Sequence, residues 1–251
     1  MLPKTREPQY EVLLELDRKS GRQSFGLMSS ATWHQDPKRL TFLLSRYKFV
    51  SRMFEGQQRV LEVGCADGFG SRIVRQTVGS LTALDFDPIF IADAKKTSDP
   101  QWPVAYVQHD MLEGPMPQLY TGAYALDVLE HIAPGEAEAR FLSNICGSLE
   151  DSGVAIIGMP SIESQGYASP ASKEGHINCQ SGSQLQSTLL EHFTNCFMFS
   201  MNDEVVHPGS SLWRTTFLPC VSDPGARNHA HVGGDRRERC HGRNTGSNPN
   251  E

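Results

Sequence analysis

The chain has 251 residues, 38% hydrophobic and 21% charged, with a net charge of −6 and a pI near 5.8. That length allows one large α/β domain or two small ones. The acidic balance gives no electrostatic footprint for nucleic acid, and no apolar run reaches the roughly 18 residues of a membrane-spanning helix.

The amino terminus, MLPKTREPQYEVLLELDRK, mixes charges throughout and has no apolar core before a cleavage site. A cytoplasmic protein with no membrane contact is expected. The six cysteines form no Cys-x-x-Cys pair, so neither a zinc spacing nor a disulfide framework is read. No metal site is expected. The histidines of the tail, His229, His231 and His241, offer at most weak metal contacts.

Residues 1–55 read as a helical cap. Leu40, Leu43, Leu44, Tyr47 and Val50 recur at helical spacing after Asp36-Pro37, an N-cap followed by proline at the first helical position. From Arg59 the pattern changes. Val60–Val63 is a short apolar strand that runs into the glycine-rich turn Gly64–Gly70, and a helix is expected over Ser71–Val78. Leu81–Leu84 is a second strand, ending at Asp85. Asp87-Pro88 opens a helix to about Lys96. Val104–Val107 is a third strand, before His109-Asp110. Ala123–Leu126 is a fourth, with a helix expected to begin around Asp127–His131. Gly135–Leu149 is helical, and Gly153–Gly158 is a fifth strand.

Apolar strands alternating with helices imply a parallel sheet buried on both faces. Right-handed crossovers make it doubly wound. A Ser/Gly-rich stretch up to about Gly182 is long for an idle connection. A helix over Ser183–His192 and a strand over Cys196–Ser200 follow, with Ser211–Leu218 as a candidate antiparallel partner at the sheet edge. The domain is read as residues 56–218. Residues 219–251 lack apolar periodicity and are expected to be disordered.

In an open parallel sheet, ligands bind beyond the carboxyl ends of the strands. The turn at Gly64 fits neither common glycine loop. A dinucleotide fingerprint would need glycine where Ala66 and Phe69 stand, and a phosphate loop would need lysine after Gly70, where Ser71 and Arg72 follow. What remains is Glu62-Val-Gly64-Cys65-Ala66-Asp-Gly68, which resembles motif I of the class I S-adenosylmethionine-dependent methyltransferases, with Ala66 in place of the middle glycine. Asp85, Asp110 and the segment Leu126-Asp-Val-Leu-Glu-His131 fall at the ends of the next three strands, where the family has its other matches. The resemblance covers roughly residues 40–200 and implies a Rossmann-like α/β fold, mostly parallel, with an antiparallel edge hairpin.

The resemblance also implies the cofactor, S-adenosyl-L-methionine, and its residues. Glu62, Gly64, Cys65, Ala66 and Gly68 would form the cofactor turn. Asp85 would grip the ribose diol, with Phe86 beside it. Asp110 and Met111 would meet the adenine. Leu126 and Asp127 would line the methionine end, and Arg46 on the preceding helix would pair with its carboxylate. His131 is the candidate general base and His176, in the long loop, the next, with Asp127 and Glu130 placed to orient either. The general look is that of bacterial small-molecule O-methyltransferases acting on a sugar, quinone or polysaccharide precursor. The competing readings are a cofactor-binding protein without catalysis and a dinucleotide oxidoreductase. A nucleic-acid methyltransferase is disfavoured, because no Asn/Asp-Pro-Pro-Tyr/Phe motif follows the fourth strand.

Overall fold

The structure, a computed structural model, describes residues 4–202, 205–208 and 215–221. Three helices come first: α1 (Glu11–Ser20), α2 (Leu27–Gln35) and α3 (Pro37–Met53). The α3 start is built as its sequence demands, with Asp36 accepting from the Lys38 N–H and Pro37 at the first helical position. Leu40, Tyr47 and Val50 are buried, and Phe54 just beyond the helix is 1% exposed. Leu43 and Leu44 are only half-buried.

The βα alternation follows: β1 (Arg59–Val63), α4 (Ser71–Arg75), β2 (Ser80–Asp85), α5 (Pro88–Lys96), β3 (Ala105–Gln108), β4 (Tyr120–Leu126), α6 (Glu136–Gly147) and β5 (Leu149–Pro160). The helix after the glycine turn ends at Arg75, three residues before the expected Val78. It gives way to a turn in which the Thr77 hydroxyl donates to the Val74 carbonyl. The segment after β4 is not the start of an α-helix either. Leu129–His131 form a single 3₁₀ turn, and α6 opens only at Glu136.

Beyond β5 the long connection carries a 3₁₀ turn (Ile162–Tyr167) and the short α7 (Pro170–Gly175) before α8 (Gly182–Leu190). Ser181 and Gln184 cap α8 reciprocally, each side chain bonded to the other's backbone N–H. The strands β6 (Asn195–Cys196), β7 (Phe199–Asn202), β8 (Val205–Pro208) and β9 (Thr215–Val221) complete the described chain. β9 continues to Val221, past the expected boundary at 218. Residues 222–251 lie outside the described residues.

The sheet runs β3-β2-β1-β4-β5-β9-β7-β8, with β6 also on β9. The five strands from β3 to β5 are parallel. β9 is antiparallel to β5, and β7 pairs antiparallel with both β9 and β8. The first crossover leaves β1 for β2 on one side, and the chain later returns to β4 on the other. The order therefore reverses between β1 and β4, which opens a crevice above their carboxyl ends.

The two faces of β1 have different neighbours because successive side chains alternate. Leu61 and Val63 join the core with Phe141, Leu142 and Ile145 of α6 and Leu185 and Leu189 of α8. Val60 points to the other face, with Val50, Phe54, Val74 and Tyr124. Glu62 is in register with that second set and is equally buried, at 1% exposed. No helix among the described residues is long and apolar enough to cross a membrane.

Candidate active site at the crevice

The turn after β1 is an unusual piece of backbone. Gly64, Ala66 and Gly68 all have positive φ (78°, 47° and 67°). A Cβ on Gly64 would sit 2.3 Å from Val128 Cγ2, and one on Gly68 would meet the Tyr106 ring at 2.5–2.7 Å. The glycines are therefore required by backbone conformation and by close packing together. Ala66 shows that one position of the three tolerates a methyl group in the left-handed region.

Asp85 holds this turn. Its Oδ2 accepts from the Ala66 N–H at 2.9 Å and its Oδ1 from the Asp87 N–H at 3.0 Å. The side chain is 8% exposed. Phe86 beside it is 70% exposed, an uncovered aromatic face at the crevice. At the end of β3, Asp110 Oδ1 accepts from the Leu112 N–H at 2.8 Å, which leaves Oδ2 to a ligand. The Met111, Leu126 and Cys65 side chains pack inward at 3%, 6% and 3% exposed. Met111 belongs to the α6 core and Leu126 to the α3 face. A ligand in the crevice could take only backbone groups from Met111 and Cys65.

Glu62 lies beneath the turn with neither carboxylate oxygen hydrogen-bonded. Burial raises its pKa to about 7, and the Asp85 charge adds to the rise. The Ser71, Tyr124 and Tyr47 hydroxyls pull it back without reaching hydrogen-bond geometry. Arg46 does not stand free for a ligand. It forms an ion pair with Asp127 Oδ1, its side chain 7% exposed and its guanidinium carbon 5.1 Å from the centre of the Phe42 ring. Asp127 itself has φ +55°, the only non-glycine left-handed residue besides Ala66 among the described residues. Such backbone is costly and clusters where a site needs it.

Past Asp127 the fold brings His176 of the long loop beside the adjacent pair Glu130 and His131. His131 and His176 lie with ring centroids 5.2 Å apart, edge to face. His131 Nδ1 is 2.9 Å from the Gly175 carbonyl, and His176 Nδ1 is 3.1 Å from Gln165 Oε1. His131 Nε2 lies 3.9 Å from Glu130 Oε1. Glu130 is fully buried, with neither oxygen hydrogen-bonded. Burial and the Asp127 charge push its carboxyl well above the usual range. Burial, and then the nearby His131, lower the His176 pKa. The Glu130 carbonyl accepts from the Ile177 and Asn178 N–H groups, so backbone bonds join the two segments.

Sequence reasoning missed the anchor of α2. Asp67, inside the motif I turn, is 4% exposed. Its Oδ2 accepts from the Ser29 N–H at 2.6 Å, and its Oδ1 from the Ser29 hydroxyl and the Phe69 N–H at 3.1 and 3.2 Å. Asp93 accepts from the Leu27 N–H at 2.6 Å. Two carboxylates from the Rossmann-like domain thus cap α2 from outside. Gly26 is the one residue in that segment whose type hinted at it, because a Cβ there would lie 2.4 Å from Asp67 Cβ. Asn202 and His207 fall on the edge pair β7–β8, opposite Val205 and Ser200.

Residues 61–157 match the family model described as a methyltransferase domain. The fold is similar to that of the N-methyltransferase NodS from Bradyrhizobium japonicum WM9 in complex with S-adenosyl-L-homocysteine. Identity is 17%, 84% of this chain and 97% of that one are covered, and the TM-score is 0.58. It is also similar to the complex between the Haloferax volcanii Trm112 methyltransferase activator and a putative methyltransferase, at 13% identity, 80% and 100% coverage and a TM-score of 0.59. The DhpI–S-adenosylhomocysteine complex aligns at 16% identity, with 84% and 91% coverage and a TM-score of 0.51. No curated protein sequence matches the chain. Residues 61–157 thus match a methyltransferase domain, on a fold similar to that of methyltransferases solved with S-adenosyl-L-homocysteine.

Proposed function

We propose that the protein transfers a methyl group from S-adenosyl-L-methionine to a hydroxyl of a small molecule, in the cytoplasm, with residues 56–218 as the catalytic unit and residues 1–55 as its cap. The residues present fit the cofactor. Asp85 offers a carboxylate at the end of β2 for the ribose diol, Phe86 an uncovered face for the purine, and Asp110 Oδ2 an acceptor for the adenine amino group. The buried, unpaired Glu62 lies beneath the turn. When bound, the sulfonium supplies the electrophilic methyl group, and the protein's task is alignment and proton removal.

The observation that carries the acceptor reading is the His131–His176 pair. A carbonyl oxygen only accepts, so Gly175 fixes the proton of neutral His131 on Nδ1 and leaves the Nε2 lone pair free to take a proton. Val128 packs on Gly64, so the segment carrying His131 lies directly against the cofactor turn. A groove of about 540 Å³ lined by amides and hydroxyls, among them Asn178, Gln180, Gln184 and Thr188, continues from the same loop. Polar lining of that kind suits a hydroxylated acceptor such as a sugar.

The test is transfer from labelled cofactor to a panel of hydroxylated metabolites, nucleotide sugars and quinols included, with amines as the contrast. Transfer to a hydroxyl is expected. His131→Gln should lower kcat by about 10²–10⁴-fold with cofactor affinity little changed. Transfer to amines alone would overturn the acceptor class. Cofactor binding without transfer to any acceptor would favour a non-catalytic binding protein.

A further inference from the structure

We propose that Glu130, His131 and His176 form a binding site for a divalent transition-metal ion of the Zn²⁺ class, on the acceptor side of the crevice. One potential ligand atom from each residue lies within 4.8 Å of the other two. Two imidazoles and a carboxylate make a donor set that suits Zn²⁺ and its first-row neighbours. Closing the three atoms to ligand spacing takes about an ångström of side-chain movement, from metal–ligand lengths of about 2.0–2.2 Å.

Three features are those of a built metal site. The Glu130 side chain is 0% exposed, and both its oxygens lack any hydrogen-bond partner. A buried carboxylate left in that state is costly unless a cation or proton donor completes it. Both histidines are held by their Nδ1 atoms, His131 by the Gly175 carbonyl and His176 by Gln165 Oε1. The Gln165 amide is itself oriented, because its Nε2 donates to the Ser161 carbonyl and the Ser164 hydroxyl. Both imidazoles therefore direct an Nε2 lone pair outward, and this outer-sphere arrangement orients metal-ligating histidines in general. Finally, the hydrogen bonds from Ile177 and Asn178 to the Glu130 carbonyl fix the two ligand-bearing segments to each other before any ion arrives.

Three protein ligands leave coordination positions open. His131 is half-exposed, so those positions face solvent. An ion here would hold acceptor oxygens beside the cofactor turn, and the imidazoles would then act as ligands in place of a base. That role rests on the methyltransferase reading, whereas the binding itself does not.

The experiment uses the full chain, stripped with chelator and titrated with Zn²⁺ by calorimetry and with Co²⁺ in the visible range. One tight equivalent is expected, with Co²⁺ ligand-field bands of a low-coordinate site. The double substitution His131→Gln/His176→Gln should abolish this equivalent while leaving any weak binding by the tail histidines. Gln165→Ala, which removes only the orienting partner, should weaken it about 10–100-fold. Zinc binding by the wild type no tighter than by the double variant would overturn the proposal. If that variant fails to fold, X-ray absorption on the zinc-loaded wild type decides. Imidazole and oxygen neighbours support the site, and sulfur neighbours or an absence of histidine scattering refute it. Cofactor affinity measured on the same samples tests the methyltransferase reading separately.

Discussion

Arg46 and Asp127, 81 residues apart, form an ion pair that ties α3 to the end of β4. The pair has one member almost fully buried and one about a quarter exposed. It also secures Asp127 in a left-handed backbone conformation that its neighbours on β4 do not share.

Removing the carboxylate leaves the Arg46 charge buried beside Phe42 without an anion. Asp127→Ala should therefore destabilise the protein by about 2–3 kcal/mol, below the full range for a wholly buried pair because Asp127 is partly solvated. Asp127→Gly loses the same charge but relieves the positive φ, so it should be milder by about 1 kcal/mol. Urea unfolding of the two variants checks this. Equal losses would show that residue 127 carries no backbone strain.

Gly64 should be intolerant of even one methyl group. Gly64→Ala adds about 1–2 kcal/mol for left-handed backbone and about 1–3 kcal/mol for the collision with Val128. Val128→Ala in the same chain should recover the second part and leave the first. A double variant no more stable than Gly64→Ala would mean that the contact with Val128 is not what limits the site.

The parallel strands were legible because period and punctuation agreed. Val60–Val63, Leu81–Leu84 and Ala123–Leu126 are apolar runs bounded by turns, and each lies within a strand in the parallel sheet. Helix ends were read well where a side chain caps them, as at Asp36 and Asp87. They were misjudged at Val78 and Asp127, where tertiary bonds decide, from the Thr77 hydroxyl to the Ser51 carbonyl and from Arg46 to Asp127. Asp85 was legible as the residue that ends the second strand. Its grip on the Ala66 and Asp87 amides was not, since a linear pattern carries no partner list. Likewise His131 and His176 were each noticed singly, but their pairing depends on a backbone bridge between segments 45 residues apart. The Arg46 side chain was expected at the cofactor's carboxylate, and the structure gives it a protein carboxylate at Asp127.

Glu62 predicts a pH dependence of stability. Its folded pKa is about 7, against an ordinary 4.5. The folded protein therefore binds more protons than the unfolded chain between those values. The sign follows from that difference: stability from this group is fully present below pH 4.5 and is lost as pH rises through 7. At about 1.4 kcal/mol per unit, the loss is about 3 kcal/mol. Glu62→Gln cannot ionise, so its unfolding free energy relative to wild type should rise by about 2.5 kcal/mol between pH 5 and pH 8. Denaturant titrations at both values measure it. Parallel pH profiles for the two proteins would show that Glu62 is ionised throughout.

Asp67 should decide whether the N-terminal cap stays on the crevice. Its carboxylate accepts from the backbone and hydroxyl of Ser29 and from the Phe69 N–H, so one side chain fixes both α2 and the motif I turn. Contacts above the turn add a smaller share, with the Phe25 ring centroid 5.0 Å from Phe69 and 5.7 Å from Trp33. Trp33 is half-exposed, as is Leu27, so apolar burial alone holds α2 only weakly. Asp67→Ala leaves the Ser29 N–H without its charged acceptor, at a cost of about 1.5–3 kcal/mol. That loss is local to α2, and it should appear as faster amide exchange and proteolysis over residues 21–36 before any change in the central strands. Ser29→Ala keeps the backbone bond to Asp67 and should give a fraction of the effect. On the proposed reading, α2 covers the bound cofactor, so Asp67→Ala should also raise its Kd by roughly tenfold or more. Normal protection of residues 21–36 in a folded Asp67→Ala variant would show that the two external caps are not what holds α2 in place.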